Sequence, residues 1–209
     1  MPPVPPELLP WVSLAKDFAT LVAACVGAWV AIKGLNAWRR QLKGKTDYEL
    51  ARKVLRACYK VRDSIASVRH PAIWSAEFDA AQKKVVIDDP TLKDYPDAAK
   101  RFAVYQVRWT RLSEALSELD AEAFEAEVSW ETPIKAKLAD LRRLVGKLRW
   151  AINEHIDART DSQKRMQPQG KEADDVVFDK GDEHSPDEFS QKVQKAIAEI
   201  EEILRPHLS

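Results

Sequence analysis

Glycine is scarce in this chain, at 6 of 209 residues, and cysteine is scarcer, at 2. So little glycine leaves few positions for the left-handed turns of hairpin-rich sheets, and no alternating apolar–polar run is long enough for a sheet. The two cysteines, Cys25 and Cys58, exclude a disulfide framework and fit a reducing compartment. Neither sign of charge is in excess, with 33 Lys+Arg against 33 Asp+Glu, so no global field argues for nucleic acid. There is no GxxxxGK[ST] or GxGxxG phosphate cradle and no GxSxG elbow. Of the 4 histidines, His70, His155, His184 and His207, none lies at metal-ligand spacing from another histidine or a cysteine. Neither a metal nor a small-molecule cofactor is expected.

What the chain does have is an uncharged apolar run, Phe18 to Ile32, and helix-forming Ala, Leu, Glu, Lys and Arg throughout. Those 15 residues span about 22 Å as a helix, less than the ~30 Å hydrocarbon core of a bilayer. The flanks extend it. Trp11 and Trp38 stand where interfacial tryptophans belong, about 40 Å apart, and Lys16 and Lys33 are placed to snorkel. Residues 11–38 therefore read as one transmembrane helix in contact with a lipid bilayer. The rival is a buried core helix, which the shortness of the run and Asp17 favour.

Basic residues follow the run. Lys33, Arg39, Arg40, Lys43 and Lys45 crowd its C-terminal flank, against Lys16 alone on the other side. The positive-inside rule then puts the N-terminus outside a bacterial-type inner membrane and residues 39–209 in the cytoplasm. The proline-rich start, residues 1–10, reads as an extended arm, and the basic stretch at 39–45 as a juxtamembrane segment.

Small residues are ordered within the span. Ala19, Ala23, Gly27 and Ala31 recur at every fourth position, and Thr20, Ala24 and Ala28 form the adjacent column. Such columns let helix backbones approach closely in lipid, although alanine is also common in any helix. They point to a homo-oligomer larger than a dimer.

Residues 46–209 read as a cytoplasmic helical domain. Thr46-Asp-Tyr-Glu49 has the form of a capping box, which predicts a helix from Thr46 to about Arg69 with the stripe Leu50, Val54, Ala57, Val61, Ile65 and Val68. A short helix and a loop are expected over 71–96. The spacing of Phe102, Tyr105, Trp109, Leu112, Leu116, Leu119 and Ala123 predicts a helix over 97–128. A helix beginning near Glu131, with Pro133 in its first turn, carries Ile134, Leu138, Leu141, Val145, Leu148, Ile152 and His155. The polar stretch 160–185 reads as a mobile linker. Ser185 then caps a final helix carrying Phe189, Val193, Ala196, Ile200 and Ile203. Four amphipathic helices with one stripe each bury those stripes against one another. The expected fold is all-α, a single transmembrane helix followed by an antiparallel four-helix cytoplasmic bundle.

One constellation carries candidate chemistry. Arg149 and His155 lie six positions apart late in the third bundle helix, with Asn153 and Glu154 beside them. An arginine holds a phosphate while a histidine exchanges a proton with a ribose 2′-hydroxyl, so the two are candidate catalytic residues. The structural alternative is that His155 simply ends the buried stripe. Arg62 with His70 is a looser pair of the same kind. The basic, aromatic Trp38–Lys45 segment is explained by membrane flanking before nucleic acid.

The arrangement resembles the HEPN superfamily (higher eukaryotes and prokaryotes nucleotide-binding domain), whose motif is Arg-x(4–6)-His late in the third helix of an all-helical bundle. Here Trp150 follows the arginine where the commoner form has a polar residue. A membrane helix joined to a divergent bundle is also similar to the small membrane accessory proteins of Cas13b-type CRISPR antiphage systems. The resemblance implies an oligomeric inner-membrane effector that perturbs or permeabilises the membrane in antiviral defence, with a defence-system protein or RNA as partner. It also leaves open a membrane-tethered ribonuclease. A third reading, independent of the resemblance, is a non-enzymatic anchor for a soluble partner.

Overall fold

The computed structural model describes residues 9–130, 134–161, 167–181 and 185–208. Residues 1–8 of the expected arm and the expected helix start at Glu131–Pro133 lie outside the described residues, while Leu9 and Pro10, expected in the arm, already belong to the first helix. All regular structure among the described residues is helical. The helices are α1 (Leu9–Arg69), α2 (Ser75–Gln82), α3 (Pro90–Lys93), α4 (Pro96–Trp130), α5 (Ile134–Thr160), α6 (Pro168–Val177) and α7 (Glu188–Leu204), closed by a 3-10 turn at Arg205–His207. By contacts the chain divides into two compact units, Met1–Thr46 and Asp47–Ser209.

The helix expected to start at Thr46 does not start there. α1 is a single helix of 61 residues. The Thr46 hydroxyl donates to the Leu42 carbonyl at 3.1 Å, a mid-helix bond to the preceding turn, and the Glu49 amide lies inside the continuing helix, where no free N-terminal amide is left to cap. A capping box needs an extended residue at its head. Here Arg39 to Lys45 is rich in helix formers, and Gly34 and Gly44 cost only about 1 kcal/mol each relative to alanine. The preceding turns stay helical and the box is never formed.

In the first unit the apolar side chains from Phe18 to Leu42 are exposed. α1 carries one stretch long and apolar enough to cross a membrane, with a mean hydropathy of 1.8 and none of its best window buried. Thr20 returns its hydroxyl to the Lys16 carbonyl at 2.8 Å, so it brings no unsatisfied donor into an apolar surrounding.

The second unit has one main core. The stripe Leu50, Val54, Ala57, Val61, Ile65 and Val68 of α1 is buried in it, with Leu112 and Leu119 of α4, Leu138, Leu141 and Leu148 of α5, and Phe189, Val193 and Ile200 of α7. Polar bonds at the rim fix the register. Lys60 meets Glu118 at 2.7 Å, and the Trp130 indole donates to Asp47 at 3.0 Å, so α1 and α4 run antiparallel. Asp120 meets Arg142 at 2.5 Å and Glu127 meets Lys135 at 3.2 Å, which makes α4 and α5 antiparallel. Lys137 meets Glu199 at 3.7 Å across α5 and α7. Tyr59 donates to Glu201 at 2.8 Å across α1 and α7. A smaller cluster of Ala81, Ala103 and Val104, with Phe78 beside it, seats α2 on α4.

Two further expectations change. The stretch read as a mobile linker contains α6, with Gly170, Ala173, Val176 and Val177 buried. Its apolar residues are small and few, so composition hid a helix that packs on α5. The last helix is capped by Asp187, not Ser185: the Asp187 carboxylate accepts from the Ser190 amide at 2.8 Å, the third position of α7. Cys58 is buried beside the α1 stripe, whereas Cys25 is exposed. Burial, reinforced by Glu201, pushes the Cys58 thiol up to about 12, which leaves it unreactive.

Candidate functional site

Arg149 and His155 share α5, but six residues of helix separate them by about 9 Å of rise and about 240° of rotation. Each has its own partners. His155 is buried. Its Nδ1 lies 2.7 Å from an Asp174 carboxylate oxygen on α6, and its Nε2 accepts from Arg159 Nε at 3.2 Å. Tyr105 of α4 and Phe178 after α6 stand edge-on to the imidazole, with centroids 6.0 and 5.0 Å away. An acceptor role for Nε2 and a donor role for Nδ1 define a neutral imidazole. Burial holds His155 below its ordinary value of 6.5; the Asp174 hydrogen bond opposes that shift, and Arg159 adds to it.

Arg149 packs its guanidinium over the Trp109 ring, 4.7 Å from the centroid. Its Nη1 is buried without a hydrogen-bond partner, and burial lowers its pKa. The stripe position of His155 is thus explained by packing together with a carboxylate and an arginine, while Arg149 covers an aromatic ring. The looser pair is also divided. Arg62 meets Asp63 at 2.9 Å and covers Tyr59, and the His70 ring lies 3.2 Å from the Ala72 carbonyl. Among the described residues no group of three or more His, Cys, Asp and Glu is placed to hold a metal.

Two buried arginines went unnoticed in the sequence, and both join elements. Arg69, at the end of α1, is 1% exposed. Its Nε donates to the Val176 carbonyl at 2.7 Å and its Nη2 to the Phe178 carbonyl at 3.1 Å. Asp187 takes both terminal nitrogens, at 2.6 and 3.3 Å, and Ser190 takes Nη1 at 2.6 Å. One guanidinium therefore ties together the ends of α1 and α6 and the start of α7. Burial alone would raise the Asp187 carboxyl. Arg69 and the amides of Ser190 and Lys180 reverse that and hold it well below the usual carboxylate range. Gly181 lies against this cap, where an added Cβ would come within 2.4 Å of the Asp187 amide nitrogen. Arg108 does the same work for the turn after α1, donating to Glu77 at 2.7 and 2.8 Å and to the carbonyls of His70 and Ala72 at 2.8 and 3.0 Å. A signal was available. Arg69 falls four residues after Ile65, and Arg108 falls between Tyr105 and Leu112, so both occupy buried columns.

In the first unit the residues of both small columns lie within α1, and those with described surroundings, Ala19, Ala23, Gly27, Ala31, Thr20, Ala24 and Ala28, are exposed. A Cβ added to Gly27 would meet nothing within 4 Å. Trp38, Arg39, Arg40, Lys43 and Lys45 are exposed further along the same helix, and Trp11 lies near its start. A helix of the chain's own core would bury its apolar face, and this one does not. No protein-family model, curated protein or solved structure matches the chain.

Proposed function

We propose that this is a single-pass inner-membrane protein that assembles through its apolar helix into a homo-oligomer larger than a dimer and perturbs or permeabilises the membrane. The observation that carries the reading is the complete exposure of the best apolar window of α1, mean hydropathy 1.8, on a helix long enough to span a bilayer. Water is a poor solvent for such a surface, and lipid or other copies of the helix are the surroundings that suit it. A single span encloses no aqueous path, so permeabilisation requires several copies. The antiparallel packing of the second half of α1, α4, α5 and α7 supports the reading of residues 46–209 as a HEPN-like four-helix bundle. The resemblance to the membrane accessory proteins of Cas13b-type CRISPR systems makes antiphage defence the proposed setting, with a defence-system protein or RNA as partner.

The separate partners of Arg149 and His155 favour a structural role for both, which ranks membrane action above the ribonuclease. The test is fractionation with a reporter fused after Ser209. The protein is expected to resist alkaline extraction from the inner membrane with its reporter in the cytoplasm. A soluble protein, or a reporter outside that membrane, contradicts the proposal.

A further inference from the structure

Because α1 passes through residues 39–46 without a break, side chains on both sides of the membrane boundary share one helical phase. At about 100° per residue, Lys33, Arg39, Arg40 and Lys43 fall within one arc of about 120°. The same arc holds five of the bulky apolar residues, Phe18, Leu21, Val22, Trp29 and Ile32, while Val26, Val30, Leu35, Trp38 and Leu42 lie outside it. The small columns from Ala19 to Ala31 occupy the opposite half of the helix. No Asp or Glu lies between Phe18 and Thr46. Among the described residues Arg39, Arg40 and Lys43 have no ion pair, and Lys33 rests 5.4 Å from the Trp29 ring centroid.

We propose that the arc of Lys33, Arg39, Arg40 and Lys43 binds the headgroups of anionic phospholipid, and that it continues the lipid-facing side of the span. The inference rests on the membrane reading above and adds both a ligand class and a face. Phe18, Leu21 and Val22 contact acyl chains of the far leaflet and Trp29 and Ile32 those of the near one, the cations within about four turns of Trp29 reach the phosphates of that near leaflet, and the face of the small columns is left for neighbouring copies. Charge complementarity selects the occupant: four exposed cations without an interspersed acid attract anionic headgroups over zwitterionic ones. Arginine adds forked donors matched to phosphate oxygens.

The test uses the full chain reconstituted in phosphatidylcholine bilayers containing spin-labelled phosphatidylglycerol or spin-labelled phosphatidylcholine. Motionally restricted phosphatidylglycerol is expected to exceed restricted phosphatidylcholine by roughly five-fold or more, since each cation near the surface contributes appreciably. Raising the salt should shrink the preference. The triple variant Arg39→Gln, Arg40→Gln, Lys43→Gln should bring the ratio close to one while keeping the particle mass of the wild type. An equal removal of charge further along the helix, Arg52→Gln, Lys53→Gln, Arg56→Gln, should keep the preference. Equal restriction of both lipids by the wild type overturns the inference alone. So does an equal loss in the two triple variants, or dissociation of the first one, which would place the cations at a subunit contact. A protein that restricts neither lipid overturns the membrane reading as well.

Discussion

Arg69 is the residue on which most of the second unit's joints converge. Replacing it with methionine keeps much of the volume but leaves the Asp187 carboxylate and the carbonyls of Val176 and Phe178 without their donor. Breaking a buried charge pair from one side costs about 3–5 kcal/mol, and Arg69→Met should lose that much in urea unfolding of the solubilised protein. Arg69→Lys should recover less than half of it, because a point charge cannot serve acceptors on both sides of a planar fork. A loss below about 1 kcal/mol in the methionine variant would show that the network is dispensable. At His155 the prediction concerns pH. Burial lowers its folded-state value below the ordinary 6.5, so on acidification the unfolded chain takes up the proton first. The stabilising contribution is complete above about 6.5 and is lost as pH falls through the lowered folded value. The thermal midpoint should therefore drop between about pH 7.5 and 5.5 by more in wild type than in His155→Gln, as followed by circular dichroism. Equal slopes in the two proteins would remove His155 as the cause. Asp187 also makes the fold acid-labile, but only at lower pH, since its carboxyl is held below the usual range.

Among the elements, the long apolar stripes were legible because periodicity survives without knowledge of neighbours. Leu50 to Val68, Tyr105 to Ala123, Leu138 to His155 and Phe189 to Ile200 are faces that any packed arrangement would bury, and the structure buries most of each. Ends and joints were not legible in the same way. The Thr46 box was correct as a pattern, but the turn before it was already helical. The Asp187 cap was hidden behind Ser185-Pro186, because its value comes from Arg69, 118 residues away. α6 was missed because Ala173, Val176 and Val177 are small apolar residues in a polar stretch, and their partners on α5 supply the hydrophobic contact. Arg149 and His155 are separated for a related reason: six residues is a motif spacing in sequence, but it sets the two side chains about 120° apart on the helix, where each meets its own partners. Gly27 offers the sharpest test at this scale. A Cβ there meets nothing within the chain, so Gly27→Leu leaves the isolated helix undisturbed and improves its propensity. Any effect must come from a neighbour. The variant should run as a smaller particle than wild type in mild detergent, and an unchanged particle would move the contact away from this face.

For the whole molecule, the two units raise separate questions. The second is a helical core held at its corners by Arg69 and Arg108, and it accounts for folding. The first is an exposed apolar helix long enough to cross a membrane, and the proposed location and assembly rest on it. The central claim is that copies of this chain associate in the membrane through that helix. A single span cannot conduct or rupture by itself, and closed cyclic symmetry is the usual way to arrange several. The most direct measurement is the protein mass of the wild-type particle, by light scattering in mild detergent and again in native membrane patches. The account predicts a homo-oligomer larger than a dimer in both. A monomer in both would contradict it and leave an anchor for a soluble partner as the better description.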